Sequence, residues 1–193
     1  MIPISFTHFR LAASASAVIW AAAACGDSIG LPPATIPNWV DTMTFAAIQN
    51  TPIPDASALD ILTATKTRTD QGQPFDLMFD IDSTGTAMMI PAGLLSFTAE
   101  AGWRTTTQEF SAITNAPTED YAADAVLVLA VGDVFFARSR TSSTGCEILG
   151  TALSRYGKFH VLALDTQERT VTLETMVDLN CGYRGLEIGF PTS

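Results

Sequence analysis

Apolar and polar residues alternate with a period of two along most of the chain after Trp39, which is the pattern of half-buried β-strands. The clearest case is residues 75–82, with the sequence FDLMFDID. One face of this strand is apolar and consists of Phe75, Leu77, Phe79 and Ile81. The other face is mostly acidic and consists of Asp76, Met78, Asp80 and Asp82. Because an antiparallel strand with one buried face needs this alternation, we predict a strand whose acidic side chains face solvent.

Two pairs of apolar runs predict β-hairpins. In residues 125–140, Gly132-Asp133 lies between two such runs, and glycine at the first central position suits a type II′ turn. The second hairpin joins residues 158–164 to residues 170–177 through the turn Asp165–Arg169. Shorter strands are predicted over residues 43–47, 58–64, 86–90 and 103–107. Since only residues 108–114 suggest a helix, the prediction is a mainly β domain, an antiparallel sandwich or partly closed barrel with one short helix.

The first 24 residues have the features of an export signal. A single cation, Arg10, precedes an uncharged apolar run over residues 11–24. A membrane-spanning helix needs ~20 residues, so this run is too short to cross, but it suits the apolar region of a signal peptide. The run ends in Ala22-Ala23-Ala24-Cys25, which resembles the lipobox of bacterial lipoproteins, with Ala22 where leucine is usual. The resemblance implies a lipidated Cys25 as the first mature residue; simple secretion with a free Cys25 is the alternative.

The cysteine count supports the lipidated reading. The chain has three cysteines, and exported proteins rarely keep an exposed thiol. If Cys25 carries lipid, Cys146 and Cys181 remain as a pair in an oxidising compartment, where we expect them to form a disulfide; the alternative is two separate buried thiols. Residues 25–38 are rich in proline and glycine and predict a flexible tether, which leaves residues 39–193 as a single β-rich domain.

Composition and charge exclude two broad classes of protein. Twenty acidic residues against ten basic ones give a formal charge of −10, which excludes a nucleic-acid binder with a broad basic surface. A hydrophobic content of 47% excludes intrinsic disorder. Loss of residues 1–24 removes Arg10 and no acid, so the mature charge becomes −11. Membrane attachment is therefore expected through the lipid and not through a basic protein surface.

The mature sequence contains few residues that carry catalytic or metal chemistry. His160 is its one histidine, and no Cys or His pair has the spacing of a metal site, so no metal site is predicted. Residues 80–85 begin like a calcium-binding loop, but Pro91 stands where the bidentate glutamate should be. The candidate ligand contacts are an adjacent methionine pair, the histidine and two residues after the second cysteine: Met88, Met89, His160, Tyr183 and Arg184.

The order of lipobox, tether and strands resembles β-rich lipoproteins of environmental bacteria that have no assigned activity. A fainter similarity links the chain to the HmuY-like haem-binding lipoproteins. It rests on residues 75–79 (FDLMF) and residues 156–158 (YGK), which are similar to short strand motifs of that family. The resemblance implies haem as a ligand, bound there by paired His or Met side chains. Paired histidines are excluded here, and no motif assigns Met88 or Met89 to that role.

These observations predict an exported, membrane-anchored bacterial lipoprotein that faces the periplasm or the cell surface. Its expected role is non-enzymatic, either binding or structural, with an unknown ligand or envelope protein as partner and no cofactor. One alternative is a carrier of a small, haem-like ligand. Another is a hydrolase that uses Asp76, Asp80 and Asp82, since side chains two apart on a strand have a separation that some hydrolases use.

Overall fold

The structure, a computed structural model, describes residues 30–95 and 100–192. The predicted signal peptide, Cys25 and the first part of the tether lie outside these residues. No helix in the two described ranges is long and apolar enough to cross a membrane. The strands are β1 (Asp41–Ala46), β2 (Ala58–Asp60), β3 (Thr65–Thr67), β4 (Leu77–Ile81), β5 (Ala87–Pro91), β6 (Gly102–Thr106), β7 (Leu127–Val128), β8 (Val134–Arg138), β9 (Ser142–Ile148), β10 (Thr151–Leu153), β11 (Tyr156–Asp165) and β12 (Thr170–Asp178).

The strands form two five-stranded antiparallel sheets. The order in the first sheet is β1-β12-β11-β8-β6, and in the second it is β3-β2-β4-β5-β7. One cluster of buried apolar side chains draws on both sheets, including Phe45, Phe135, Phe159 and Leu173 from the first and Leu59, Leu77, Phe79 and Met89 from the second. The sheets therefore pack face to face, and neither closes into a barrel. The mainly β, antiparallel fold is confirmed, in its sandwich form.

The predicted hairpin between residues 158 and 177 is confirmed. Strands β11 and β12 pair in antiparallel register, with Lys158 opposite Met176 and His160 opposite Glu174. The register shifts between Val161 and Ala163, so the alternation of faces changes within β11.

The predicted hairpin over residues 125–140 is wrong. Strand β7 pairs with β5 in the second sheet, whereas β8 pairs with β6 and β11 in the first. The turn at Gly132, with φ +93°, carries the chain from one sheet to the other, and its N–H donates to the carbonyl of Val161. Two apolar runs with a glycine between them are compatible with a hairpin inside one sheet and also with a turn that crosses between two sheets. In either arrangement each strand has one buried face, so the pattern does not distinguish them.

The predicted helix over residues 108–114 shrinks to one 3-10 turn at Phe110–Ala112. Two further 3-10 turns, Thr69–Gln71 and Ala92–Leu95, were not predicted. The segment around Phe110 is fixed by packing and not by helical hydrogen bonding, because Phe110 and Ile113 are buried against the outer face of the first sheet, in a cluster with Phe136 and Met176.

The acidic face of β4 is buried, which corrects the prediction that these acids face solvent. Asp76 and Asp80 are almost inaccessible. Asp76 accepts the N–H of Ile61 and forms an ion pair with Arg140, while Asp80 accepts the side-chain amide of Gln49 and lies 3.6 Å from an Arg169 nitrogen. Loops from distant parts of the chain therefore cover this face and supply the charges that neutralise it. Phe75 also departs from the prediction, since it packs in a separate cluster with Ala58, Met78 and Ala92.

Residues 31–38, the second part of the predicted tether, lie along the domain. The side-chain oxygen of Asn180 accepts the N–H groups of Thr35 and Ile36 at 2.9 and 3.0 Å, and its amide donates to the carbonyl of Ile36. The Tyr183 hydroxyl donates to the carbonyl of Pro32 at 2.8 Å. These side-chain hydrogen bonds replace the regular pairing that a proline-rich segment cannot make. The chain thus joins the domain near Leu31.

Cys146 and Cys181 lie at disulfide distance, as the predicted pairing requires, and their Cα atoms are 5.2 Å apart. Cys146 belongs to β9, part of a two-stranded hairpin with β10 that stands apart from both main sheets. Cys181 follows β12. The pair therefore joins this hairpin, which was not predicted, to the segment that leaves the end of the first sheet.

Candidate functional site

A cleft of about 450 Å³ lies on the outer face of the first sheet. Lys158 of β11 and two residues of β12, Glu174 and Met176, line its floor. One wall is the segment 110–114, and the other is the segment 186–188, with Val40 at the edge. The floor is set by the alternation along β11 and β12, because Phe159 and Leu173 point into the sandwich core while Lys158 and Glu174 point outward.

The two walls are paired with each other through the backbone. The N–H of Ala116 donates to the carbonyl of Arg184 at 2.8 Å, and the N–H of Leu186 donates to the carbonyl of Thr114 at 2.7 Å. Gly185 lies between these bonds, and a Cβ there would come within 2.8 Å of Pro191. This close approach explains a glycine at that position, and the two hydrogen bonds on either side of it join the walls.

Lys158 connects the floor of the cleft to one wall. Its side chain is buried, and its Nζ donates to the carbonyls of Phe110 and Ile113 at 2.9 and 2.8 Å. The Nζ also lies 4.6 Å from the centre of the Phe110 ring, within range of a cation–π interaction. Burial lowers the pKa of Lys158, and the charges of Glu174 and Glu187 oppose that shift.

Glu174 and Glu187 make the cleft anionic on balance. Glu174 Oε2 lies 3.1 Å from His160 Nδ1, so the histidine lies beside the cleft on the same sheet face. The His160 ring stacks on Phe110 with 6.2 Å between the ring centres. Glu187 is solvent-exposed on the opposite wall. Two carboxylates and one ammonium thus line an otherwise largely apolar depression.

No protein-family model, no curated protein and no solved structure matches the chain. The chemistry of the cleft is therefore inferred from its own residues. Its mixture of an apolar lining with a few fixed polar groups is typical of small-molecule binding sites.

Tyr183 and Arg184 hold backbone segments together. Tyr183 is buried, and its hydroxyl bonds to Pro32. Arg184 Nη1 donates to the carbonyl of Ala116 at 3.1 Å. Both precede the wall segment 186–188, and neither lines the cleft.

The side chains of the remaining candidates from the sequence point to three different parts of the sandwich. Met89 is buried in the sandwich core, and Met88 points to the outer face of the second sheet, opposite Asp80 and Val128 in the register. His160 lies on the outer face of the first sheet. The structure does not bring these three residues together as a ligand set.

The carboxylates of β4 do not form an open site either, because Asp76 and Asp80 are enclosed by their arginine partners. Asp82 accepts hydrogen bonds from Thr84 and Thr86 in the turn that follows β4. Within residues 30–95 and 100–192, no group of three or more His, Cys, Asp or Glu side chains is arranged to hold a metal ion.

Proposed function

We propose that this protein is an exported bacterial lipoprotein, anchored through lipid on Cys25, whose β-sandwich binds a small organic ligand without catalysing a reaction. The observation that carries the binding role is the cleft above Lys158, with its apolar lining and its two glutamates. The sequence features before residue 39 support the anchor.

The charges of the cleft favour a ligand with an apolar body and a positively charged amine. Lys158 is already bonded to two carbonyls, so its charge is partly compensated within the wall. One carboxylate oxygen of Glu174 lies 3.1 Å from His160 Nδ1, and Glu187 is exposed on the wall of the cleft. A ligand amine near these carboxylates completes the charge balance, while Ile113, Met176 and Ile188 contact its apolar part.

Calorimetric titration with an aryl-alkyl amine, the matching alcohol and the matching carboxylate tests the ligand class. We expect the amine to bind best and Glu187→Gln to weaken its binding about two- to five-fold, the range of an exposed charge pair. Glu168→Gln is the matched control, because Glu168 is also exposed but lies in the β11–β12 turn. Equal binding of the three ligands, or an equal loss in the control, contradicts the proposed ligand class.

Intact mass of the protein made in a bacterial host tests the anchor. We expect the mass of residues 25–193 plus a diacylglycerol and an acyl chain. Cys25→Ser is expected to remove this added mass and to move the protein into the aqueous phase on detergent partitioning. An unmodified wild-type mass, or aqueous partitioning of both proteins, contradicts lipidation.

A further inference from the structure

The β9–β10 hairpin turns at an exposed leucine, in the two-residue turn Leu149-Gly150 between the paired residues Ile148 and Thr151. Leu149 has 86% of its surface exposed, and its φ is +52°. This left-handed conformation is common for glycine and asparagine but uncommon for a bulky side chain. A two-residue hairpin turn of type I′ requires positive φ at both of its central residues, and Gly150 has φ +79°, so the turn accounts for the backbone of Leu149. It does not account for a leucine at a position that favours asparagine or glycine, since the side chain is not buried in the protein.

The hairpin is fixed firmly to the sandwich at its base. Cys146 lies at disulfide distance from Cys181. Arg155 adds two further links, since Nη2 donates to the carbonyl of Gly145 at 3.2 Å and Nη1 donates to the carbonyl of Leu62. The tip therefore has a defined position relative to the domain.

The chain that leads from Cys25 joins the domain beside this hairpin. Leu31 and Leu153 of β10 both pack against Gly182, each about 3 Å from where a Cβ on that glycine would lie. Five residues lie between Cys25 and Leu31, so the connecting chain spans at most about 20 Å when extended. A lipid on Cys25 thus keeps this end of the sandwich close to the membrane.

The same end carries two more exposed leucines. The N–H of Ala92 donates to the carbonyl of Asp76. The carboxylate of Asp76 forms an ion pair with Arg140, which lies two residues before β9. The turn Ala92–Leu95 therefore begins at the hairpin end of the sandwich, and both Leu94 and Leu95 are exposed.

The acidic turns lie at the opposite end. The exposed acids in the loops and turns there are Asp55, Asp133, Asp165 and Glu168. At the hairpin end, Asp60 and Asp76 are neutralised by Arg140, whereas Asp41, Glu100, Asp124 and Glu147 are exposed. The exposed acids are therefore divided between the two ends, so a membrane contact at the hairpin end depends on the anchor and on apolar side chains and not on charge.

We propose that the Leu149 tip enters the surface of the membrane that holds the lipid anchor, with Leu94 and Leu95 as neighbouring apolar contacts. The partner is the lipid bilayer, and the contact orients the cleft-bearing domain on it. This inference rests on the proposed lipid anchor at Cys25.

Tryptophan fluorescence of the full-length lipoprotein in vesicles tests this contact. The vesicles contain phosphatidylethanolamine and phosphatidylglycerol, with or without bromine on the acyl chains. Leu149→Trp is compared with Ile53→Trp, a matched control that is 71% exposed in the loop at the opposite end. We expect brominated lipid to quench the added fluorescence of Leu149→Trp at least twice as strongly as that of Ile53→Trp.

Flotation of the vesicles separates failure of the contact from failure of the anchor. Wild type should float with the vesicles, and Cys25→Ser should not. If wild type floats but the two tryptophan variants are quenched equally, the membrane contact is overturned while the anchor stands. If wild type does not float, the anchor fails and the inference fails with it. Shielding of Leu149→Trp from aqueous iodide without quenching by brominated lipid indicates a protein partner and also overturns the inference.

Discussion

Arg140 binds Asp76 twice, through its backbone and through its side chain. The Arg140 N–H donates to Asp76 Oδ1 at 2.9 Å, and its Nη1 lies 3.0 Å from the same oxygen. The second carboxylate oxygen accepts the N–H of Ile61 at 2.7 Å. Arg140 Nη1 also lies 3.1 Å from Asp60. This buried group ties the start of β4 to the segment between β8 and β9, and so links the two sheets of the sandwich.

Asp76→Asn is therefore expected to destabilise the protein by up to about 3 kcal/mol, because it removes one carboxylate of a buried ion pair and leaves Asp60 alone to compensate the charge of Arg140. Urea denaturation gives the free energy of unfolding. Asp55→Asn is the control: Asp55 is exposed, and its substitution should change that free energy by no more than ~0.5 kcal/mol. Similar small effects in both variants contradict the structural role of the pair.

Phe79→Ala tests the core of the sandwich. Phe79 is fully buried on the inner face of β4, within the cluster that joins the two sheets. Loss of its ring should cost about 3–5 kcal/mol, from lost burial and the cavity that remains. Phe190→Ala is the matched control, because Phe190 is exposed. If both substitutions have equal effects on unfolding by urea, β4 is not central to the core.

Local patterns in the sequence predicted the strands well and their partners less well. The β11–β12 hairpin was predictable because its two strands are adjacent in sequence and joined by a short turn. The role of Gly132 was not, because alternation shows that a strand has one buried face but not which sheet it joins. The burial of Asp76 depends on Arg140, which is 64 residues away, and no local pattern reports such a contact.

Most of the cleft could not be predicted from local patterns in the sequence either. Lys158 and His160 are two residues apart in β11, so alternation places both side chains on the outer face of the first sheet. The walls come from irregular segments around Phe110 and Leu186, whose positions depend on packing against the outer sheet face. One signal was available: Lys158 is one of only two lysines in the chain and lies within an apolar strand. A lysine in such a place needs buried hydrogen-bond acceptors.

The Cys146–Cys181 disulfide should contribute about 4 kcal/mol in the chain-entropy model, as an upper value for a separation of 35 residues. Thiol labelling of the denatured, unreduced protein should detect neither cysteine. Cys146→Ser combined with Cys181→Ser should lower the free energy of unfolding, and reductant should then have no further effect. Two labelled thiols in the wild type contradict the disulfide.

Lys158→Met should loosen the wall of the cleft. The substitution keeps the length of the side chain but leaves the carbonyls of Phe110 and Ile113 without their donor, at a cost of about 1–3 kcal/mol for each unsatisfied buried group. Hydrogen exchange should become faster in residues 110–114 and remain unchanged in the β1–β12 pairing. Unchanged exchange in the wall shows that Lys158 does not hold it.

Asp178 provides a prediction about pH. Its side chain is buried, and burial raises its pKa, although hydrogen bonds from Asn180 and the charge of Arg155 oppose the shift. Between the unfolded value, about 3.8, and the raised folded value, the folded protein binds more protons than the unfolded one. The contribution of Asp178 to stability is therefore fully present below about pH 3.8 and is lost as the pH rises through its folded pKa.

Asp178→Asn removes this titration and keeps an oxygen that can accept the Asn180 hydrogen bonds. We expect the free energy of unfolding of the variant, minus that of the wild type, to increase between about pH 3.5 and about pH 7, a range that begins near the ordinary carboxyl pKa. Urea denaturation at each pH gives both free energies. Other acids titrate in both proteins, so their contributions cancel in the difference. The exposed Asp55→Asn control should give a flat difference. A difference that decreases with pH means that Asp178 is stabilised as an anion, with its pKa lowered, and that the charge of Arg155 outweighs the effect of burial.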